Sequence, residues 1–287
     1  IVKKSKIKYI KLPLGIKVED EIENYFPKNI DILVLDVFDR NDSNEKEYKK
    51  VTDCLVTFLD MGGSSIYSDI IIYPQLLPDS TKKSKDEQIV LEGTDYFIFD
   101  DNYLSTINRN RSFNKKKYSI FVCLGGYSVD PVLRTICHAL ASNISILDKI
   151  TFITGHCCSV DIRKIIKNNY SSIEIIEYCD NPLRYLTMSD FAIISGGHIK
   201  YEAAALGVPS IIISLVKHQD VLSKTFEKTG SCVYLGPAES VNSQNISEEI
   251  TKLIMNGDKL ISMSRFARNT IDGHGTERVA RSIFSLY

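Results

Sequence analysis

The sequence predicts an α/β protein built from two parallel sheets, each covered by helices, and three observations point there. Short β-branched runs alternate with helical patterns along nearly the whole chain. Most of these runs are continuously apolar, as expected of strands buried on both faces rather than on one. At 287 residues the chain exceeds what a single small domain needs and suits two of ordinary size.

The elements follow in order. A basic run at 6–10 reads as the first strand, and a helical pattern occupies 18–25. Ile30-Asp-Ile-Leu-Val-Leu35 predicts a strand at 30–35, with a helix at 45–52 behind it. Further strands are expected at 54–59, 69–73 and 96–99. The polar, basic stretch 109–117 then breaks the pattern and reads as an interdomain linker, dividing the chain into domains 1–113 and 114–287. The pattern restarts with Tyr118-Ser-Ile-Phe-Val-Cys-Leu124, a strand at 118–124. Strands at 150–154, 173–176, 191–194, 211–215 and 232–235 follow, separated by helices at 131–141, 160–168, 182–188, 199–206 and 221–228. Strands and helices in alternation are the arrangement of a parallel sheet with crossover helices. The second half holds a full complement of both, whereas the first begins in mid-pattern. A strand–helix unit of about 30 residues or more ahead of Ile1 is expected to complete the first sheet.

Composition narrows the function. Lys plus Arg number 35 against 36 Asp plus Glu, a net charge of -1, so the clustered positive excess of a general nucleic-acid binder is missing. No apolar run is long enough for a membrane span, and no signal-peptide pattern stands at the start. The seven cysteines are odd in number and scattered, mostly in apolar runs; Cys123 and Cys137 read as buried thiols. That usage fits a reducing compartment, and a cytoplasmic protein is expected. His156-Cys157-Cys158 lacks a second ligand pair at suitable spacing, so no metal site is assigned, and no cofactor either. No pattern specifies an oligomer.

The segment richest in chemistry runs from Asp190 to Ile213. A buried strand ends near Ile194, two glycines at 196 and 197 allow a tight turn and close approach to a ligand, and a helix starts near His198. Free N–H groups there form an anion site without a metal or lysine. Glu202 follows one turn deeper, and helical side chains lean back towards the N-terminus, so its carboxylate can face the same ligand. Beside a phosphate it would repel; accepting from ribose hydroxyls it would not. The spacing therefore fits a nucleotide, with diphosphate at Ser195, Gly196, Gly197 and His198 and ribose at Glu202. For His198 two roles stay open, contact with phosphate or sugar and capping of the helix start. Leu206-Gly207-Val208-Pro209 ends the helix and returns the chain to the sheet. Among the other polar residues, His138 reads as a structural histidine, His274 as part of a turn, and Asp100-Asp101 as a surface loop. Gly126, Tyr127 and Ser128, after the strand at 118–124, face a crevice and are candidates for contact with a sugar. No Asp-x-Asp pair occurs, so a metal-bridged diphosphate site is not expected.

In order and spacing these motifs resemble the UDP-sugar hydrolase of pseudaminic acid biosynthesis and its spore-coat-polysaccharide relatives, which are similar to the lipid-linked N-acetylglucosamine transferase of peptidoglycan synthesis. The resemblance is carried by Phe121-Val-Cys-Leu-Gly-Gly-Tyr-Ser-Val-Asp130-Pro131, Asn181-Pro-Leu-Arg-Tyr-Leu-Thr-Met-Ser-Asp190, Ser195-Gly196-Gly197, Tyr201-Glu202, Gly207-Val208-Pro209, Lys217-His218-Gln219 and Asp272-Gly-His-Gly-Thr-Glu-Arg278. In the first half, Asp31-Ile-Leu-Val-Leu-Asp36 and Phe58-Leu59-Asp60 match the family's second-strand and third-strand motifs. It implies two Rossmann-like domains of the GT-B type, the first cut short at its N-terminus. It implies a UDP-sugar as partner: the glycine loop on the diphosphate, Glu202 on ribose, main chain near Tyr178 on the uracil edge, and Gln219 facing the sugar. The implied reaction is hydrolysis of a UDP-amino sugar in cell-surface glycan biosynthesis. A GT-B glycosyltransferase using the same donor and a non-catalytic nucleotide-sugar binder are the alternatives. Three departures stand out. The family's Gly-x-Gly-His catalytic loop has no counterpart here, so the catalytic residue is unassigned. Asp36-Val37-Phe38 replaces Asp-His-Tyr, and His218 replaces the Asn expected before Gln219.

Overall fold

The computed structural model describes residues 8–37, 42–78, 87–99, 111–125, 130–155, 158–166, 172–179 and 181–285. The chain divides into two compact units, Ile1–Gly93 together with Ala280–Tyr287, and Thr94–Val279.

The described part of the first unit contains α1 (Val18–Tyr25), β1 (Ile30–Leu35), α2 (Asp42–Lys49), β2 (Thr52–Phe58), β3 (Ile70–Tyr73) and β4 (Ile89–Glu92). The four strands form a parallel sheet in the order β1-β2-β3-β4. All four residues of β3, Ile-Ile-Ile-Tyr, are buried, which is why that run is apolar without alternation. Below the end of β2 lies a buried polar chain. Ser65 donates to the Glu45 carboxylate at 2.6 Å, and the Ser68 hydroxyl lies 2.5 Å from those of both Ser65 and Thr57. Glu45 is fully buried on α2, so this chain ties the helix to the loop after β2.

Two expectations for this half need correction. Residues 8–10 have no regular structure, although the basic run suggests a strand. The fourth strand is Ile89–Glu92, not 96–99. Gly93, at φ +99, ends β4 in a backbone conformation that a side chain would strain, and Thr94–Tyr96 then forms a 3-10 turn. Phe97 and Phe99 are buried while Ile98 between them is 43% exposed. Alternation therefore mimics a strand where there is no ladder. The two rings lie 4.9 Å apart, and Phe97 also stacks on Tyr201.

The second unit is a six-stranded parallel sheet in the order β10-β9-β8-β5-β6-β7. Its strands are β5 (Tyr118–Cys123), β6 (Leu147–Ile153), β7 (Ile173–Ile176), β8 (Phe191–Ser195), β9 (Ser210–Ser214) and β10 (Cys232–Pro237). The connecting helices are α3 (Asp130–Ser142), α4 (Ile162–Ile165), α5 (Leu183–Thr187), α6 (Ile199–Ala205) and α7 (Lys217–Glu227), followed by α8 (Ser243–Met255) and α9 (Gly257–Thr270); α10 (Gly275–Phe284) begins in this unit and from Ala280 onward belongs to the first. Ile136 and Leu140 of α3 meet Ile246, Ile250 and Leu253 of α8 in a core shared with Ile120, Val122 and Phe152 of the sheet.

Helices α8 and α9 are not among the elements the pattern predicts, although their signals are present. Asn242 and Asn256 cap them, each accepting from a backbone N–H three residues on, at Asn245 (2.9 Å) and Lys259 (3.0 Å). The apolar stripe Ile246, Ile250, Leu253 is spaced for one helical face. Its polar surroundings hide it. α4 is shorter than the predicted 160–168, and residues 167–171 lie outside the described part.

The basic segment read as a linker is built into the second unit from Arg111 onward. The Arg111 guanidinium donates to the carbonyls of Leu206 (3.2 Å), Thr187 (3.0 Å) and Ser189. Phe113 is 2% exposed, and Lys115 pairs with Asp190 at 2.6 Å. Asp190 also accepts from the Ser119 N–H at 2.8 Å, so one buried carboxylate holds the starts of β5 and β8 together.

Candidate functional site

In the second sheet the chain runs from β5 to β6 and β7 in one direction, then returns to β8, β9 and β10 in the other. Winding reverses between β5 and β8. The loops leaving two such strands diverge and open a crevice outside their carboxyl ends, where ligands of parallel α/β sheets bind. Leu124 and Gly125 leave β5 on one side, while Gly196, Gly197 and His198 leave β8 on the other.

The packing behind the second loop explains its glycines. A Cβ on Gly196 would stand 2.4 Å from Ser223 Oγ and 2.9 Å from Gln219 Cβ, both on α7, so only glycine fits this close approach of helix and loop. Gly197 is more open, with Gln219 Nε2 3.6 Å from the place a Cβ would take. The other end of the Gln219 amide accepts from the Leu215 N–H at 2.9 Å, which fixes the turn from β9 into α7. From below, Lys200 donates to the carbonyls of Gly196 (2.8 Å) and Gly197 (3.3 Å).

His198 starts α6 without a side-chain cap, and its ring lies edge-on to Phe97 at 5.5 Å. Glu202 is half-buried one turn later. Burial holds its carboxyl above the usual carboxylate range, with the nearby His198 opposing. Cys123, at the end of β5, is pushed up to about 11 by burial first; the Gly125 backbone opposes, and the charges of Glu202 and Cys179 add. Glu202, Cys123 and Cys179 thus share one electrostatic neighbourhood, although they come from α6, from β5 and from the turn after β7. A cavity of about 350 Å³ opens at the ends of β9 and β10, lined among others by Ser214, Val216, Lys217, Asp220 and Glu239. Tyr234 donates to Asp220 and accepts from Ser214 at 3.0 Å, which stiffens that wall.

Residues 135–278, half of the chain, match the Glycosyltransferase family 28 C-terminal domain. The chain belongs to that family. The match spans the strand, glycine loop and helix just described. Spore coat polysaccharide biosynthesis protein SpsG of Bacillus subtilis is 27% identical over 268 residues, 91% of this chain and 78% of that protein. UDP-N-acetylglucosamine--N-acetylmuramyl-(pentapeptide) pyrophosphoryl-undecaprenol N-acetylglucosamine transferase of Acetivibrio thermocellus is 28% identical over 123 residues, 41% of this chain and 33% of that one. Among solved structures, MurG of Acinetobacter baumannii has a TM-score of 0.68 at 12% identity, covering 93% of this chain and 76% of MurG. MnaA of S. aureus, solved with UDP, has a TM-score of 0.62 at 17% identity, covering 92% and 77%. At these identities the structures speak for the fold alone. This family 28 chain has the GT-B-like fold expected from its sequence, an α/β arrangement with two parallel sheets.

Of the residues singled out in the sequence, Ser195, Gly196, Gly197, His198, Glu202 and Gln219 stand together at the end of β8 and the start of α7. His218 is exposed in the first turn of α7, a helix that begins at Lys217 rather than at the predicted 221. Tyr178 is 62% exposed beyond β7. Gly126, Tyr127 and Ser128 lie outside the described residues, as do Asp100, Asp101, His156 and Cys157. His138, read as a structural histidine, faces solvent on α3, because Ile136, Cys137, Ala139 and Leu140 take the buried face. Cys123 and Cys137 are buried thiols, as read. Among the described residues no three His, Cys, Asp or Glu side chains gather as metal ligands, and no helix is long and apolar enough to cross a membrane. Sequence reasoning missed Lys200 and Arg111. The first had a readable signal, since a lysine four residues after Gly196 on a helix can reach back to its carbonyl; the second had none.

Proposed function

We propose that this chain binds a UDP-sugar at the carboxyl edge of its second sheet, in cell-surface glycan biosynthesis, and releases UDP from a UDP-amino sugar by attack of water. The observation that carries the reading is the Ser195–His198 loop with Glu202 beside it at the point where the sheet reverses its winding. Backbone amides of Gly197 and His198 would take the diphosphate and Glu202 the ribose hydroxyls. The main chain near Tyr178 would meet the uracil edge. Gln219, through the amide end left beside Gly197, would reach the sugar together with His218, and Gly126 and Tyr127 would close the opposite wall. Residues 114–287 are the nucleotide-sugar-binding domain in this reading. Glu202 suits the ribose role because a carboxylate partly withdrawn from water accepts a strong, charge-assisted hydrogen bond from a hydroxyl. The spore-coat relative's name supports the glycan setting, and the UDP held by the MnaA structure of the same fold supports the nucleotide.

Membership of a glycosyltransferase family favours a second reading, transfer from the same donor to a sugar or lipid acceptor. One experiment tests both. The protein is titrated with UDP in a calorimeter and then incubated with a panel of UDP-sugars without acceptor. Saturable heat and release of UDP with free sugar are expected. Turnover only after an acceptor is added would replace hydrolysis by transfer. No heat at millimolar UDP would remove the nucleotide site altogether.

A further inference from the structure

Lys200 is 1% exposed, among the most deeply buried large side chains of the protein. A lysine ammonium is strongly hydrated in water, so burying it is costly unless donors and charge are well used. It donates to the carbonyls of Gly196 (2.8 Å) and Gly197 (3.3 Å) among its interactions, and Nζ lies 4.3 Å from the centre of the Tyr201 ring. That ring is stacked on Phe97 and meets Phe226 edge-on, so the ammonium rests on a rigid platform.

The consequence follows from the planarity of the peptide. No described peptide bond is cis, and in a trans unit the C=O and the next N–H point in opposite directions. Drawing the Gly196 and Gly197 carbonyls onto the buried ammonium turns the N–H groups of Gly197 and His198 away from it. They therefore point to the side on which Gly197 is half-buried and His198 exposed. The loop cannot back away, because Ser223 and Gln219 stand against Gly196. We infer that Lys200 is a positioning residue that presets the Gly197 and His198 amides for the diphosphate of the nucleotide and adds positive charge behind them. This rests on the diphosphate reading of the loop.

The test compares wild type with Lys200→Met, which keeps the length of the side chain and removes its donors and charge. Both are titrated with UDP and with uridine, followed by NMR. Wild type should bind UDP, and the variant should bind it at least tenfold more weakly while its uridine affinity stays within twofold. Unchanged UDP affinity overturns the inference, and so does an equal loss for UDP and uridine, which marks a purely structural lysine. Failure of wild type to bind UDP is a separate outcome, which removes the donor site and this inference with it. Should Lys200→Met not fold, the wild-type protein labelled with 15N at lysine Nζ and backbone amides decides. UDP, unlike uridine, should shift the Lys200 Nζ and the Gly197 and His198 amide resonances. The absence of such a UDP-specific shift overturns the inference.

Discussion

Replacing Gly196 by alanine tests how tightly α7 holds the loop at Ser195–His198. The added Cβ would lie 2.4 Å from Ser223 Oγ, 2.9 Å from Gln219 Cβ and 3.3 Å from the Gln219 carbonyl oxygen. Comfortable carbon contacts are about 3.5–4.0 Å, so two of these three neighbours are closer by more than half an ångström. Ser223 is fully buried, and its hydroxyl can rotate only within a packed site. Gln219 Cβ cannot move without the helix. Overpacking of this kind costs about 1–3 kcal/mol, and two close neighbours, one of them immobile, place the expected loss near ~2 kcal/mol. The chain has no Trp, so urea unfolding is best followed by circular dichroism. Gly196→Ala should lower the unfolding free energy by that amount and weaken UDP binding. Adding Ser223→Ala removes the shortest contact and should restore about 1 kcal/mol, a coupling typical of touching residues. The reasoning fails if Gly196→Ala stays within about 0.5 kcal/mol of wild type. It fails equally if the double variant is no more stable than the single one.

Three further outcomes are expected. Glu202→Ala should weaken UDP by about 10- to 150-fold, the equivalent of roughly 1.5–3 kcal/mol for a charged hydrogen bond, with a much smaller effect on 2′-deoxy-UDP; equal losses for both nucleotides would remove the ribose contact. Arg278 beside Asp272 holds its carboxyl down, from 3.8 to about 2, so the pair stabilises the fold fully above the unfolded value and loses that contribution as pH falls from 4 towards 2. The depression corresponds to about 2.4 kcal/mol, but the Asp272 side chain is 43% exposed, and screening leaves about 1 kcal/mol. Asp272→Asn should therefore lower stability at pH 7 by that much and by only a small part of it at pH 2, where the folded carboxyl is about half protonated; a constant difference at both pH values would contradict the assignment. Lastly, because the sequence has no Asp-x-Asp pair, UDP affinity and any turnover should survive EDTA, and recovery only on adding manganese or magnesium would show the contrary.

Much of the chain is legible in its sequence because the signals are local. Ile173–Ile176 and the helix Val18–Tyr25 fall where the runs of residues predict them, since burial on both faces, or on one stripe, leaves its mark on a few consecutive residues. The glycine pair after β8 is equally visible, because a tight approach of backbone to helix tolerates no side chain at Gly196. Where local pattern and long-range packing disagree, the pattern misleads. Phe97-Ile98-Phe99 alternates like a strand, yet Phe97 is placed by Tyr201, a hundred residues away in the chain, and Phe99 by Phe97 and Thr276. Asn242 and Asn256 announce two helices whose polar faces outweigh their apolar stripes.

The sequence alone determined the fold class, the strands buried on both faces and the strand–glycine–helix unit at 191–205, because backbone preference and periodicity depend on near neighbours. Tertiary structure alone decided the strand order that opens a crevice between β5 and β8. It also decided the Arg111 clasp on Thr187, Ser189 and Leu206 and the burial of Lys200 beneath the glycine loop. Those depend on which distant segments meet. The half-buried Arg111 is held where distant segments bring carbonyls to its donors, and one stretch of sequence carries no record of that meeting; the carbonyls that Lys200 reaches are local, and only the aromatic packing around it comes from afar.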